Sequence, residues 1–411
     1  MRKLFQLITV TAGAATVAAM VMAPAMADPI NPNTGKAVEP RACDIVGGGS
    51  NTIEFLDDQI SVNFNQALLK TLKKGDTQST SCASQPKPFF YTWDALQNAN
   101  ATTAPMVNFK AGCPSEQRPN GSSAGVTALA TNLGGNVKSG GKTFPCFDYA
   151  RSSRPPKSTD PTNVSFIALA QDNVTYASLA KGSNAPTNLT VTQLHDIYTC
   201  TATTWKQVGG KSDATIHPLL PQPNSGTLAF FESAINVTTP GACVTQPASL
   251  EENEGVDPIY SGPNAANEIV PFSAGKFLSQ EFHSAHCKST KCGTNSTGVL
   301  TNCMTPKKGQ NEFGCDVNGV LKLNDINGTN PVKGEVLNQP ASVAKGGYTN
   351  TLVRTLFHVV RGTKTIPANL EPIFGPKGFD CSKAADTAIE NYGFEPAHIK
   401  GFPACGSITA G

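Results

Sequence analysis

Three runs of helical apolar spacing each follow directly on a short turn of small polar residues. After Gly49-Ser50-Asn51-Thr52, the side chains of Ile53, Leu56, Ile60 and Phe64 share one helix face. Val126, Leu129, Ala130 and Leu133 do the same after Gly121-Ser122-Ser123-Ala124-Gly125, and Leu228, Phe231 and Ile235 after Asn224-Ser225-Gly226-Thr227. Continuous apolar runs predict buried strands at Ile45-Val46 and over residues 88–93, 164–170, 216–220 and 352–360. Thr190 is placed to cap a helix carrying Leu194 and Ile197, and a late helix is predicted over 384–392. Residues 71–88 read as a polar loop and 110–121 as turn-rich. The stretch 147–162, ending in Pro155-Pro156 and a Ser/Thr/Asp/Pro tract, reads as a connector. Strands and helices alternate without repeats, which predicts an α/β protein.

The three turns carry the candidate chemistry. A helix start leaves main-chain N–H groups unpaired and partially positive, glycine lets a ligand approach the backbone, and small hydroxyls add donors without bulk. If the three starts converge, they form a seat for a small oxyanion.

The ends and composition narrow the class. Arg2 and Lys3, an apolar stretch over 7–22 and Ala25-Met26-Ala27 form the pattern of a secretory signal peptide, residues 1–27. Pro24 and Gly13 argue against an uncleaved membrane anchor, and the context of Cys43 against a lipid anchor. Removing Arg2 and Lys3 with no acid brings the formal charge from +2 to zero, unlike the basic footprint of a nucleic-acid binder. All 12 cysteines follow residue 27, so an exported chain predicts up to six disulfides. His283, His286, Cys287, Cys292, Cys303 and Cys315 lack the spacing of a zinc site and read as part of a disulfide-tied insertion near 284–317.

Several motifs, in order, resemble the phosphate-binding proteins of phosphate ABC transporters. They are the run from Leu189 to Tyr198 with Thr204-Trp205-Lys206-Gln207-Val208-Gly209-Gly210, the Ser225-Gly226-Thr227 helix start, the Gly121-Ser122-Ser123-Ala124-Gly125 turn, Gly49-Ser50-Asn51-Thr52, and Asp148-Tyr149-Ala150-Arg151-Ser152-Ser153. The likeness runs from about residue 44 to 280, with Tyr392-Gly393-Phe394 beyond. It implies a bilobal periplasmic-binding-protein-like type II fold: two α/β lobes, a hinge and a ligand cleft between them. Its boundaries would be a leader over 28–43, one lobe from 44–162 plus 345–411, and a second from 163–344.

The resemblance further implies a ligand set of Asn51, Thr52, Ser122, Ser123, Arg151, Ser153, Ser225, Gly226 and Thr227. It implies inorganic phosphate or a similar oxyanion as ligand, an ABC permease as partner, a secreted or cell-wall-associated location, and neither enzymatic activity nor a cofactor. Two positions depart from the family. Gln222-Pro223-Asn224 stands where an arginine is usual, so Arg151 or Arg154 would supply the guanidinium. Ser153 stands where an aspartate usually accepts the proton of hydrogen phosphate, and a hydroxyl there can donate or accept.

Two other readings stay open at this point. Gly121-Ser122-Ser123-Ala124-Gly125 also fits the G-x-S-x-G elbow of a serine hydrolase, with Ser123 as nucleophile and Asp257 and His358 available as acid and base. The polar residues 114–120 before it do not form the apolar strand that an elbow needs. A secreted non-transport protein that kept the fold but altered its ligand site is the other. Tyr198 and Trp205 read as core, and His195 as a surface or packing residue.

Overall fold

The computed structural model describes residues 29, 31, 37–95, 106–255, 257–287 and 320–409, without the side chains of 281–287. The signal peptide and most of the insertion near 284–317, with Cys287, Cys292, Cys303 and Cys315, lie outside the described side chains.

Among the described residues ten strands form one mixed sheet: β1 (Ile45–Gly49), β2 (Phe90–Thr92), β3 (Tyr149–Ser152), β4 (Val164–Leu179), β5 (His217–Pro218), β6 (Glu268–Ser273), β7 (Leu321–Leu323), β8 (Val353–Arg361), β9 (Glu395–Pro396) and β10 (Ile408–Thr409). Their order is β5-β6-β4-β8-β3-β1-β2, with β7, β9 and β10 also pairing with β4. The helices are α1 (Glu54–Leu69), α2 (Ser122–Ala130), α3 (Val191–Tyr198), α4 (Gly226–Ala234), α5 (Ala274–Cys287), α6 (Glu371–Phe374) and α7 (Lys383–Asn391).

The strand β4 organises the sheet. Residues 164–173 pair antiparallel with β8, while 174–177 pair antiparallel with β6. The apolar run predicts only its first half. The strand continues through Gln171-Asp172-Asn173 because Asp172 and Asn173 find partners inside. Asp172 accepts from Arg354, and the Asn173 amide donates to the carbonyls of Pro331 and Asn338. Buried polar groups are tolerated when paired in this way. The reverse holds at 216–220, where only His217–Pro218 is strand. Pro218 and Pro221 carry no N–H for a ladder.

Thr190 caps α3 as expected, its hydroxyl accepting from the Gln193 N–H while the Gln193 side chain returns to the Thr190 N–H. The apolar faces of α3 and α4 bury Leu194, Ile197 and Phe231 in one core with Tyr198 and Trp205. A second core gathers Ile53, the N-cap of α1, and Leu56 and Ile60 within it with Phe90, Tyr149, Leu356 and Ile389. His195 is a packing residue, its Nδ1 3.0 Å from the Ile235 carbonyl oxygen.

Four disulfides are present among the described residues: Cys43–Cys82, Cys113–Cys146, Cys200–Cys243 and Cys381–Cys405. Among those residues no helix is long and apolar enough to cross a membrane.

Candidate oxyanion site

The three turns meet. The first joins β1 to α1, the second opens α2 and the third opens α4. The Gly121 N–H donates to the Gly49 carbonyl (3.2 Å), and the Ser123 N–H donates to the Asn224 carbonyl (3.1 Å), so the second turn lies between the other two. Glycine is required at two of these points. Gly121 has φ +95°, and a Cβ there would stand 2.5 Å from the Asn224 carbonyl oxygen. A Cβ on Gly226 would stand 3.0 Å from Ser122 Cβ and closer still to the hydroxyls of Ser122 and Ser153.

That contact gathers a buried set of hydroxyls. Ser153, just past β3, lies 2.9 Å from Ser50 Oγ, 3.2 Å from Thr52 Oγ1 and 3.3 Å from Ser122 Oγ. Its N–H donates to Ser122 Oγ at 3.0 Å. Thr52 Oγ1 is in turn 3.2 Å from Thr227 Oγ1.

The donors are engaged by a carboxylate of the chain itself. Glu252 Oε1 accepts from the Thr52 N–H (3.2 Å) and hydroxyl (3.1 Å). Its Oε2 accepts from the Thr227 N–H (3.1 Å) and from the Ser225 hydroxyl. Ser225 is also the N-cap of α4, accepting from the Leu228 N–H. Main-chain and hydroxyl donors at helix starts thus hold an oxyanion, as their partial charge and orphaned N–H groups favour.

Of the residues singled out in the sequence, Thr52, Ser122, Ser153, Ser225, Gly226 and Thr227 come together. Asn51, Ser123 and Arg151 support the turns from outside this set. The Asn51 side-chain amide donates to Glu251 (3.4 Å), and the Asn51 main-chain carbonyl accepts from Lys276 Nζ (3.2 Å). Ser123 Oγ accepts from Arg154 Nε (3.1 Å). Arg151 donates to the Ser50 carbonyl (3.0 Å) and to Thr92 Oγ1, bracing the first turn from behind. Arg154 is spent on a bidentate pair with Asp160, both contacts at 2.7 Å.

Neither arginine donates to the gathered hydroxyls of Ser50, Thr52, Ser122, Ser153 and Thr227. Arg354 on β8 does, its Nη1 donating to Thr227 Oγ1 (3.1 Å) and to the Ser153 carbonyl (2.9 Å). Its Nε and Nη2 donate to Asp172 Oδ2 at 2.9 and 2.7 Å, both side chains being fully buried. The available signal was a charged residue inside an apolar strand pattern, which demands a buried partner.

Acidic groups crowd the site. Glu251 accepts from the Asn120 amide at 3.1 and 3.2 Å. Burial, followed by the negative charges of Glu252 and Glu54, pushes its carboxyl up to about 7 against the help of the asparagine amides. Burial likewise raises Glu54, opposed by Lys276, whose Nζ is 3.8 Å from Glu54 Oε1, and by Arg151. An open concavity lined by Arg41, Gln78 and Lys138 shares none of these residues.

Ser123, His358 and Asp257 do not assemble into a hydrolase triad. The Ser123 hydroxyl faces Arg154, while both ring nitrogens of His358 are engaged, Nε2 by Asp57 (2.8 Å) and Nδ1 by Asp380 (2.6 Å). Asp257 accepts from the Ile259 N–H at 2.8 Å.

A mixed sheet with flanking helices and a polar seat built from distant helix starts defines a protein of the periplasmic-binding-protein-like type II fold. Residues 73–274 match the family model described as a PBP superfamily domain. That match takes in the second and third turns, β3, β4 and Glu252. The chain is similar to an ABC-type phosphate transport receptor from Vibrio cholerae, with 17% identity, 86% of this chain and 99% of that one covered, and a TM-score of 0.48. It is also similar to a putative phosphate ABC transporter substrate-binding protein from Clostridium perfringens solved with bound phosphate, with 13% identity, 86% and 99% covered, and a TM-score of 0.47. PstS from Borrelia burgdorferi shares 15% identity over 86% and 98% of the two chains, with a TM-score of 0.39. No curated protein matches.

Proposed function

We propose that this chain is an exported solute-binding protein that encloses a small oxyanion, inorganic phosphate first, for delivery to an ABC permease. The observation that carries this reading is the grip of Thr52, Ser225 and Thr227 on a carboxylate, with four N–H and O–H donors from two distant turns on its two oxygens. A tetrahedral oxyanion in the same seat has two further sets of donors beside it, the hydroxyls of Ser122 and Ser153 and the Arg354 guanidinium. Neutral dipoles fixed in a dry site hold an anion without reorganising. Arg354 adds a charge-assisted contact.

The lobes in this reading are 44–162 with 345–411, and 163–344. Within these bounds β4 opens the second lobe and pairs through residues 164–173 with β8 of the first, so this strand pair joins the lobes and carries the hinge. The first turn comes from one lobe and the third from the other, so ligand binding favours closure. The protein acts outside the cytoplasm, in the secreted or cell-wall fraction, and performs no chemistry on its ligand.

Titration calorimetry of anion-stripped protein with phosphate, arsenate and sulfate tests the proposal. Saturable heat with phosphate and arsenate is expected. A wild-type protein silent to all three at millimolar concentration would reject the transport reading. It would favour the second one, a secreted non-transport protein on the same fold. The placement of Glu252 in the seat is the observation on that side.

A further inference from the structure

Among the described residues Glu252 is the one acid whose carboxylate lies in the seat itself, with 4% of the residue exposed. The loop carrying it is tied to the same turns on either side. Glu251 accepts from Asn51 and Asn120, and Asn253 donates from its amide to Thr52 Oγ1 (3.2 Å) while its Oδ1 accepts from the Ser273 N–H (2.7 Å). Asn253 has φ +60°, the left-handed conformation that asparagine tolerates better than most residues, and it turns the loop back at this point. Leu250 is fully buried behind it, and the Gln222 N–H donates to its carbonyl at 2.8 Å, anchoring the loop to the segment that leads into the third turn. The glutamate is therefore delivered by a braced loop rather than by a stray surface side chain.

We infer that the seat takes a carboxylate and that Glu252 is its resident ligand, which an external oxyanion must displace. This rests on the oxyanion reading above and adds the regulation of that site. One oxygen of Glu252 spans the first turn and the other the third, so the chain's own carboxylate bridges them as a bound anion would. The N–H groups of Thr52 and Thr227 and the hydroxyls of Thr52 and Ser225 are spent on it. An incoming anion cannot share them, because each N–H or O–H proton has one good acceptor. Nor can it bind alongside, since it would stand against a buried carboxylate of the same sign with Glu54 and Glu251 nearby. Ser50, Ser122 and Ser153 reach one another instead of Glu252, as expected when a two-oxygen group occupies a seat able to engage more.

Binding from outside thus includes the withdrawal of the Glu252 loop. Apparent affinity falls by the fraction of molecules in which the seat is vacant, so a seat vacant in one molecule in a hundred weakens binding about 100-fold.

The test compares phosphate, acetate and formate binding by calorimetry and thermal shift in the wild type, Glu252→Ala, and Glu252→Ala with Thr227→Val. We expect Glu252→Ala to bind phosphate on the order of 100-fold more tightly than wild type, and the added Thr227→Val to abolish the gain. If Glu252→Ala fails to fold, Glu252→Gln keeps the shape and removes the charge. Equal phosphate affinity in wild type and Glu252→Ala would overturn the resident-ligand proposal and leave the oxyanion reading standing. A silent wild type with a Glu252→Ala variant that binds phosphate, or only acetate and formate, would support the proposal and reject the transport role. A folded Glu252→Ala that takes up none of the three anions would overturn the proposal.

Discussion

Gly226→Ala probes how closely the three turns must approach. Gly226 opens α4 and is buried, and an added methyl would stand 3.0 Å from Ser122 Cβ and nearer to two hydroxyl oxygens. Neither hydroxyl is free to rotate away. Ser122 Oγ accepts from the Ser153 N–H, and Ser153 Oγ is hemmed in by Ser50, Thr52 and Ser122. Carbon contacts relax at about 3.5–4.0 Å, so α4 must retreat by roughly an ångström. Overpacking of this kind costs about 1–3 kcal/mol. Alanine's better helix propensity returns at most about 1 kcal/mol. The expected net loss is about 1–2 kcal/mol in urea unfolding followed by circular dichroism. The same retreat pulls Ser225 and Thr227 from their partner, so phosphate affinity measured in the Glu252→Ala background should fall at least tenfold, about 1.4 kcal/mol. An alanine variant with unchanged stability and unchanged affinity would refute the claimed packing of the turns.

Other outcomes follow from buried charges and from a crosslink. Burial opposes a charge on His358, but the Asp57 and Asp380 carboxylates outweigh it and push its pKa up to about 10. A pKa raised on folding stabilises fully below the unfolded value near 6.5, and that contribution disappears as pH rises towards 10. Stability should therefore fall between those limits, and His358→Gln should flatten the slope; parallel slopes in the two proteins would contradict the assignment. The Cys200–Cys243 disulfide joins residues 43 apart. Replacing both by serine should lower unfolding free energy by about 3–4 kcal/mol through loop entropy, measured by denaturant titration under non-reducing conditions. An unchanged midpoint would show that the crosslink adds nothing to the native contacts. Arg354→Met leaves Asp172 charged and buried without its partner, and should cost about 3–5 kcal/mol. A variant as stable as wild type would show that Asp172 needs no countercharge.

Local pattern determined a good deal of this protein. Apolar spacing placed α1, α2 and α4 after their turns, the Thr190–Gln193 pair marked the start of α3, and the runs at 164–170 and 352–360 marked β4 and β8, because burial periodicity and capping are properties of neighbouring residues. Only the tertiary structure decided which oxyanion donors face one another and what they hold. Arg151 and Arg154 stand beside the relevant motif in the chain, yet they turn to Ser50, Thr92 and Asp160, while Arg354 crosses from a distant strand to Thr227. Glu252 lies in Leu250-Glu251-Glu252-Asn253-Glu254, a stretch with no periodicity and no motif, 200 residues from the Thr52 that donates to it. A contact at that separation depends on chain topology and on the cost of burying a charge unpaired, and neither is written in local residue order.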